Sequence, residues 1–351
     1  MPSTRSAAAR TAIAPAPERS RAPRRWIALV PLTALCALAL TASMLVGSRD
    51  IPPAEVLHVL LHPDPDDAVS QTVWLSRVPR TVLVLLAGAA LGVAGGLMQA
   101  VTRNPMTDPG ILGVNAGASL AVVTGLAFFD MTDISQYMWW SFAGAMVTSV
   151  IVFAIGNSTA ARGNPVRMTL SGVALGAVLS GFSSAVLLTN SQVLERMRGW
   201  SAGTTASQPL DATLTIAPLV VAGLVIAAIS TRSLDVLSLG EAAAVAMGAS
   251  PNRIRLIALV AIALLAGGAT AAAGPIGFLG LLAPHIARMV VSPHQGWITA
   301  YSVLIAPCVL GFADVLGRVI TTGEVPVGVV TAFIGAPVLI YMVRRFRVAE
   351  V

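Results

Sequence analysis

The chain has 351 residues, 56% of them hydrophobic and only 11% charged, with a formal net charge of +6. Soluble globular proteins carry about 25% charged residues, so this composition, with a mean hydropathy of +0.80, cannot cover a water-facing surface and makes lipid the solvent for most of the chain. All 22 basic residues are arginine, which excludes a P-loop lysine and a Schiff-base lysine.

Residues 1–25, MPSTRSAAARTAIAPAPERSRAPRR, are rich in Ala, Pro, Ser and Arg and read as a disordered tail. Arg24 and Arg25 precede an apolar run, as in a secretory signal. The run is too long for a signal h-region, and many further spans follow it. A bilayer core takes roughly 17–25 apolar residues per helix. That ruler predicts about ten spans, near 26–47, 81–101, 111–129, 138–156, 169–189, 212–230, 256–273, 276–292, 299–319 and 326–343. Gly274, Pro275 and Gly277 divide the seventh and eighth, which read either as two spans or as one span plus a re-entrant piece. The expected fold is an all-α integral membrane bundle over 26–345, with a short tail at 346–351.

Between the second and third spans lies RNPMTDPGILGVN, residues 103–115. Its two prolines are tolerable where the backbone leaves a helix. Residues 232–255 read RSLDVLSLGEAAAVAMGASPNRIR. LGEAAAVAMG favours helix, and Glu241 near its start suits the helix dipole. Gly248 closes it, and Ser250-Pro251 opens a second helix. The resulting helix–turn–helix, 237–253, is too short and polar to span. It lacks the large apolar face that holds an interfacial helix in headgroups, and its small residues Ala242, Ala243, Ala246 and Gly248 suit a knob for a partner's groove.

Positive charge orients the chain. With the N-terminus inside, inner segments hold 16 arginines and outer segments 6, a positive-inside bias that puts both termini in the cytoplasm. The 103–115 turn and the 237–253 loop then face the cytoplasm. LLAG at 85–88 recurs at 264–267, and AG at 94–95 recurs at 273–274. The copies fall in oppositely directed spans, the pattern of an inverted repeat, although chance matching in an Ala/Gly/Leu-rich chain explains it equally. Glycine and alanine are dense in the spans and permit close helix packing, for which lipid supplies no hydrophobic drive.

Few residues offer chemistry. Asp314 and Arg318, at i,i+4, share a helix face and can satisfy each other; charges at this depth are functional candidates, although a structural ion pair explains them equally. Cys36 and Cys308 lie in apolar runs and read as buried thiols. His58 and His62 lie in an outer loop without a third ligand, and His285 and His294 offer no stronger metal claim. The dispersed arginines form no nucleic-acid stripe. No catalytic residue and no metal site are expected.

Several long stretches together resemble the FecCD-type permeases of ABC importers for iron–siderophore, haem and cobalamin. They are SRVPR at 76–80, GAALGVAGGLMQAVTRNPMTDPGILGVNAGA at 88–118, LSLGEAAAVAMG at 237–248, GPIGFLGLLAPHIAR at 274–288, AD at 313–314 with Arg318, and VPVGVVTAFIGAPV at 325–338. The resemblance covers 26–345. It implies ten transmembrane helices per subunit, two permease subunits around one path, two ATPase subunits below and a substrate-binding protein above. Leu239, Gly240, Glu241, Ala242, Ala243, Ala246, Met247 and Gly248 match the coupling helices that sit in ATPase clefts. Arg77 and Arg318 match outward arginines that meet acidic residues of the binding protein. Asn104, Pro105, Asp108, Pro109 and Gly113 form the most recognisable turn, which fixes the exit from span two and the start of span three. Met106 stands where the family usually has leucine, and the N-terminal tail is longer than the family needs.

The implied function is ATP-driven alternating access at a bacterial inner membrane, with ferric siderophore as the expected cargo and haem or cobalamin as the other chelates. ATP and magnesium belong to the partner ATPases; this chain needs no cofactor. The competing readings are an ion-gradient carrier, for which only Asp314 offers an ion site, and a non-transporting scaffold.

Overall fold

The computed structural model describes residues 22–345 except 48, 130, 132, 157–164, 207, 292 and 322. The tail expected at 1–25 lies outside the described residues up to 21, and its last four residues are helical. The tail at 346–351 also lies outside them.

Ten helices correspond to the ten expected spans: α1 (Ala22–Leu45), α4 (Val78–Thr102), α5 (Val114–Phe128), α6 (Ile134–Gly156), α7 (Pro165–Thr189), α9 (Leu210–Ser238), α11 (Pro251–Ala273), α12 (Leu279–Val290), α13 (Gln295–Val319) and α14 (Val327–Arg345). Between them lie α2 (Pro53–Leu61), α3 (Ala68–Thr72), α8 (Ser191–Ser201) and α10 (Glu241–Ala246). Among the described residues seven segments are long and apolar enough to cross a bilayer, while α5, α12 and the apolar part of α14 are shorter. The bundle has two ends. One carries Leu45, Val78 and Arg318; the other carries Thr102, Ser238 and Glu241.

Backbone chemistry sets the ends. Pro251 occupies the first turn of α11, where a missing N–H costs nothing, whereas Pro79 lies inside a continuous helix and interrupts its hydrogen-bond ladder. A π-helical turn, Val73–Arg77, runs straight into α4. Arg103 closes α4 in the left-handed region at φ 51°. Two boundaries differ from expectation. α9 runs on to Ser238 because no glycine or proline follows the expected end at 230 until Gly240, whose φ is 111°. Pro251 opens the long α11 directly, so the 237–253 element is one short helix and a turn leading into a span.

The eighth segment takes the divided form. Gly274 (φ 72°) ends α11, and Phe278 (φ 65°) starts the 12-residue α12. At 1.5 Å per residue, α12 is only about 18 Å long. The chain therefore descends partway as non-helical backbone, which is permissible at this depth only inside protein.

α4 and α11, the helices carrying the LLAG repeat, form the centre; 78% of the apolar window of each is buried, against 11% for α7 and 17% for α1. α4 packs on α13, α11 and α12, and α11 on α9 and α6. Small residues make this possible. A Cβ added at Gly88 would lie 2.6 Å from Pro307 Cα, and one at Gly95 would lie 1.9 Å from the Gly280 carbonyl oxygen. Gly88, Gly92 and Gly95 thus form one stripe that lets α13 and α12 approach backbone to backbone.

Candidate functional site

At the Glu241 end, α10 projects from the bundle. Leu239, Val245 and Met247 are exposed, as are Ala242, Ala246 and Gly248, while Ala244 is fully buried and roots the helix. Glu241, at the first position, ion-pairs with Arg255 on α11, so its carboxylate clamps the hairpin as well as complementing the α10 dipole.

Two contacts tie this loop to the rest of the bundle. Gln295 N donates to the Asp235 carboxylate at 2.7 Å, so a side chain of α9 caps the start of α13. Arg103 Nη2 donates to the Leu237 carbonyl at 2.7 Å, joining the end of α4 to the last turn of α9.

The 103–113 turn does not stay at the surface. Asn104 Oδ1 accepts from Met106 N at 2.9 Å, and Asp108 Oδ1 accepts from Gly110 N at 2.8 Å. Thr102 and Thr107 share a hydroxyl hydrogen bond of 2.6 Å. Pro109 begins a 3₁₀ turn to Leu112, and Gly113, at φ 73°, admits the chain to α5. From Asn104-Pro105 the backbone folds back until Asp108 and Pro109 lie against Gly280: a Cβ there would be 2.9 Å from Pro109 Cδ and 3.0 Å from Asp108 Oδ2. Gly280 is level with Gly95, seven residues above Thr102, or about 10 Å into the bundle. Beside this turn lies an open cavity of about 450 Å³, with Asp108, Asn115, Ser119, Gly172, Ser180 and Pro275 in its wall.

The opposite end holds a buried ion cluster. Asp314 accepts from Arg80 Nη2 at 2.8 Å, from Thr205 Oγ1 at 2.5 Å, and from Arg318. Arg80 also reaches Glu324 at 2.7 Å. Arg318 Nη1 donates to the carbonyls of Ser43 (2.8 Å) and Val46 (2.7 Å). Arg77 donates to Met44 O (2.8 Å), Leu45 O (2.9 Å) and Arg49 O (2.6 Å). The last carbonyls of a helix have no intrahelical partner and carry the negative end of its dipole. Arg77 and Arg318 satisfy those of α1.

Arg77 and Arg318, expected as docking residues, are therefore only 3% and 7% exposed in this chain; their guanidiniums turn inward to α1. Sequence reasoning paired Asp314 with Arg318 but missed Arg80, Thr205, Glu324, Arg103 and Asp235. Arg80 carried a usable signal, since it belongs to the same SRVPR stretch as Arg77. Arg103 and Asp235 carried none, because their partners are backbone groups far along the chain. Cys36 and Cys308 are both buried and meet in one small cluster with Ala39. Among the described residues no group of three metal-ligating side chains occurs.

A multi-pass helical bundle with a projecting α10 loop at one end and a buried ion cluster at the other has the build of a membrane transport subunit. The comparisons carry this to a family. The FecCD transport family matches residues 35–345, and the chain belongs to that family. It is 45% identical over 322 residues to the ferric enterobactin transport system permease protein FepD of Escherichia coli, covering 92% of this chain and 96% of that one. It is 34% identical to the iron(3+)-hydroxamate import system permease protein FhuB of Bacillus subtilis, over 91% of this chain and 84% of that one. A solved structure described as an inward-facing metal-chelate type ABC transporter superposes with a TM-score of 0.79 at 24% identity, covering 90% of this chain and 99% of that one; this likeness establishes the fold.

Proposed function

We propose that this chain is the transmembrane permease subunit of an ATP-binding-cassette importer that passes a ferric siderophore from a binding protein into the cytoplasm. The observation that carries this reading is the α10 loop, a helix too short to span, rooted by Ala244 and clamped by Glu241–Arg255. Its exposed small and apolar residues fit a groove on an ATPase. Leu239 through Gly248 supply that contact. The arginine bias puts this end, and both termini, in the cytoplasm. Two ATPase subunits dock there with ATP and magnesium, and a second permease completes the path. The outward apolar faces of α1 and α7 meet lipid and that second permease.

The binding protein docks at the opposite end. Two guanidiniums, of Arg80 and Arg318, face two carboxylates, of Asp314 and Glu324, and Arg77 lies beside them on the carbonyls of Met44 and Leu45, so this end presents a rigid, charge-balanced rim to the partner. Arg77 and Arg318 act there by fixing the end of α1 and the shape of the rim. The cargo assignment draws on the enterobactin and hydroxamate permeases among the relatives. Transport is alternating access, in which ATP and the loaded binding protein favour different permease states.

An ion-gradient carrier needs a free acid in the bundle. Asp314, the acid the sequence offers for that role, is committed to two guanidiniums and a hydroxyl, which leaves Asp108, held on Gly110 N beside the cavity, as the acid that the gradient test addresses. The test is uptake in vesicles holding the permease, the ATPase and the binding protein. The reading expects uptake to require ATP hydrolysis and to survive collapse of the proton gradient.

A further inference from the structure

We propose that the folded-back turn 103–113 is the lever that carries motion of the ATPase-docking loop to the cavity in the bundle, and that Arg103 is its attachment point. The inference rests on the importer reading and adds a positioning residue to it. Leu237 lies in the last turn of α9, four residues before Glu241. Its carbonyl accepts a 2.7 Å hydrogen bond from Arg103 Nη2. Arg103 is itself the left-handed residue that ends α4 and begins the turn, so displacement of Leu237 pulls directly on the turn's first residue.

The turn is stiff enough to transmit that pull. Asn104 and Asp108 each hydrogen-bond the backbone two residues on, and the hydroxyls of Thr102 and Thr107 brace one side against the other. Two prolines fix φ within it. Its far end is wedged against two helices with no slack. Asp108 and Pro109 touch Gly280 in the first turn of α12, and the Ile111 carbonyl oxygen lies 1.8 Å from where a Cβ on Gly172 of α7 would be. Gly172 and Asp108 both line the cavity of about 450 Å³. One rigid segment therefore runs from the docking loop to two walls of that cavity. Packed elements respond to a shift by changing between discrete arrangements rather than by yielding. The other tie, Asp235 to Gln295 N, leads to α13 and not to the cavity.

The experiment uses the whole complex of permease, ATPase and binding protein in proteoliposomes, with a radiolabelled ferric catecholate as the probe. The readout is ATP hydrolysed per chelate delivered. Arg103→Ala raises that ratio about tenfold, within the range of energetic coupling that single linking residues carry, while the ATPase still co-purifies with the permease. Arg103→Lys, which keeps one donor, restores most of the coupling. Arg344→Ala removes an exposed arginine and leaves the ratio at the wild-type value. An unchanged ratio in a stably assembled Arg103→Ala complex overturns the proposal. Should Arg103→Ala fail to assemble, Arg103→Lys and Arg103→Gln decide: equal ratios for the two, both at the wild-type value, also overturn it. Failure of the importer reading looks different, since wild-type vesicles would then deliver chelate without ATP.

Discussion

Arg80 and Asp314 stand 234 positions apart in sequence, yet Arg80 Nη2 donates to Asp314 Oδ1 at 2.8 Å, with Arg80 7% and Asp314 1% exposed. Asp314 also serves Arg318 and Thr205, so one carboxylate holds α4, α13 and the segment before α9 together at a single point. Charge at this depth is tolerable only when paired, and removing one partner leaves the others buried and uncompensated.

Asp314→Asn, nearly isosteric, should therefore destabilise the detergent-solubilised permease by about 3–5 kcal/mol. The apparent Tm should drop sharply and aggregation should rise. Glu324 is a contrasting partner of the same Arg80, since its side chain is 37% exposed. Glu324→Gln should cost under about 1 kcal/mol. Equal losses for the two variants would refute the cluster as described.

The stripe on α4 predicts a graded series. Gly95→Ala drives a Cβ to 1.9 Å from the Gly280 carbonyl oxygen, whereas Gly181 has nothing within 4 Å of the added atom. Overpacking of this kind costs roughly 1–3 kcal/mol, more when backbone must move. Gly95→Ala should lower the yield of monodisperse protein, and Gly181→Ala should leave yield and Tm unchanged.

The spans were legible because lipid imposes a length and a composition on every crossing helix. The ten expected segments recur as ten helices in the same order. What the composition hides is depth. Residues 103–115 read as a surface turn because Arg103, Asp108 and two prolines are polar or helix-breaking. The turn enters the bundle because glycines at 172 and 280 leave room for bare backbone. Nor does hydropathy reveal that α12 is short, since the apolar residues at 274–278 continue the run without continuing the helix. The 237–253 loop was recognisable from Glu241 and Gly248, but its anchors, Leu237 O to Arg103 and Gln295 N to Asp235, involve backbone atoms that every residue carries. Arg77 and Arg318 were expected to meet the binding protein because they match arginines that do so in the family; in this chain α1's unpaired carbonyls draw them in.

Glu241→Arg sets two guanidiniums against each other where Glu241 pairs with Arg255. The purified permease should keep its Tm within a few degrees, because Glu241 is only half-buried, yet the ATPase should no longer co-purify. Charge reversal of the exposed pair Glu195–Arg198 on α8, at the other end, should leave ATPase retention intact. Retention of the ATPase by Glu241→Arg would contradict docking at α10.

Arg77→Ala removes the hydrogen bonds to the last two carbonyls of α1, at Met44 and Leu45, and a third to Arg49 just beyond it. Carbonyls left without partners each cost roughly 1–3 kcal/mol if they stay buried, so the end of α1 should fray. Faster amide hydrogen exchange at 42–46, together with weaker binding-protein association, is the expected result. Unchanged exchange would remove the basis for the rim assignment.

The central claim is that the chain moves its chelate through work done by a separate ATPase at the Glu241 end. The most direct measurement is chelate accumulation in proteoliposomes that contain permease, ATPase and binding protein, with ATP or a non-hydrolysable analogue at the ATPase side and the proton gradient set independently. The account predicts accumulation with ATP, none with the analogue, and no dependence on the gradient. Accumulation that follows the gradient and proceeds with the analogue would contradict it.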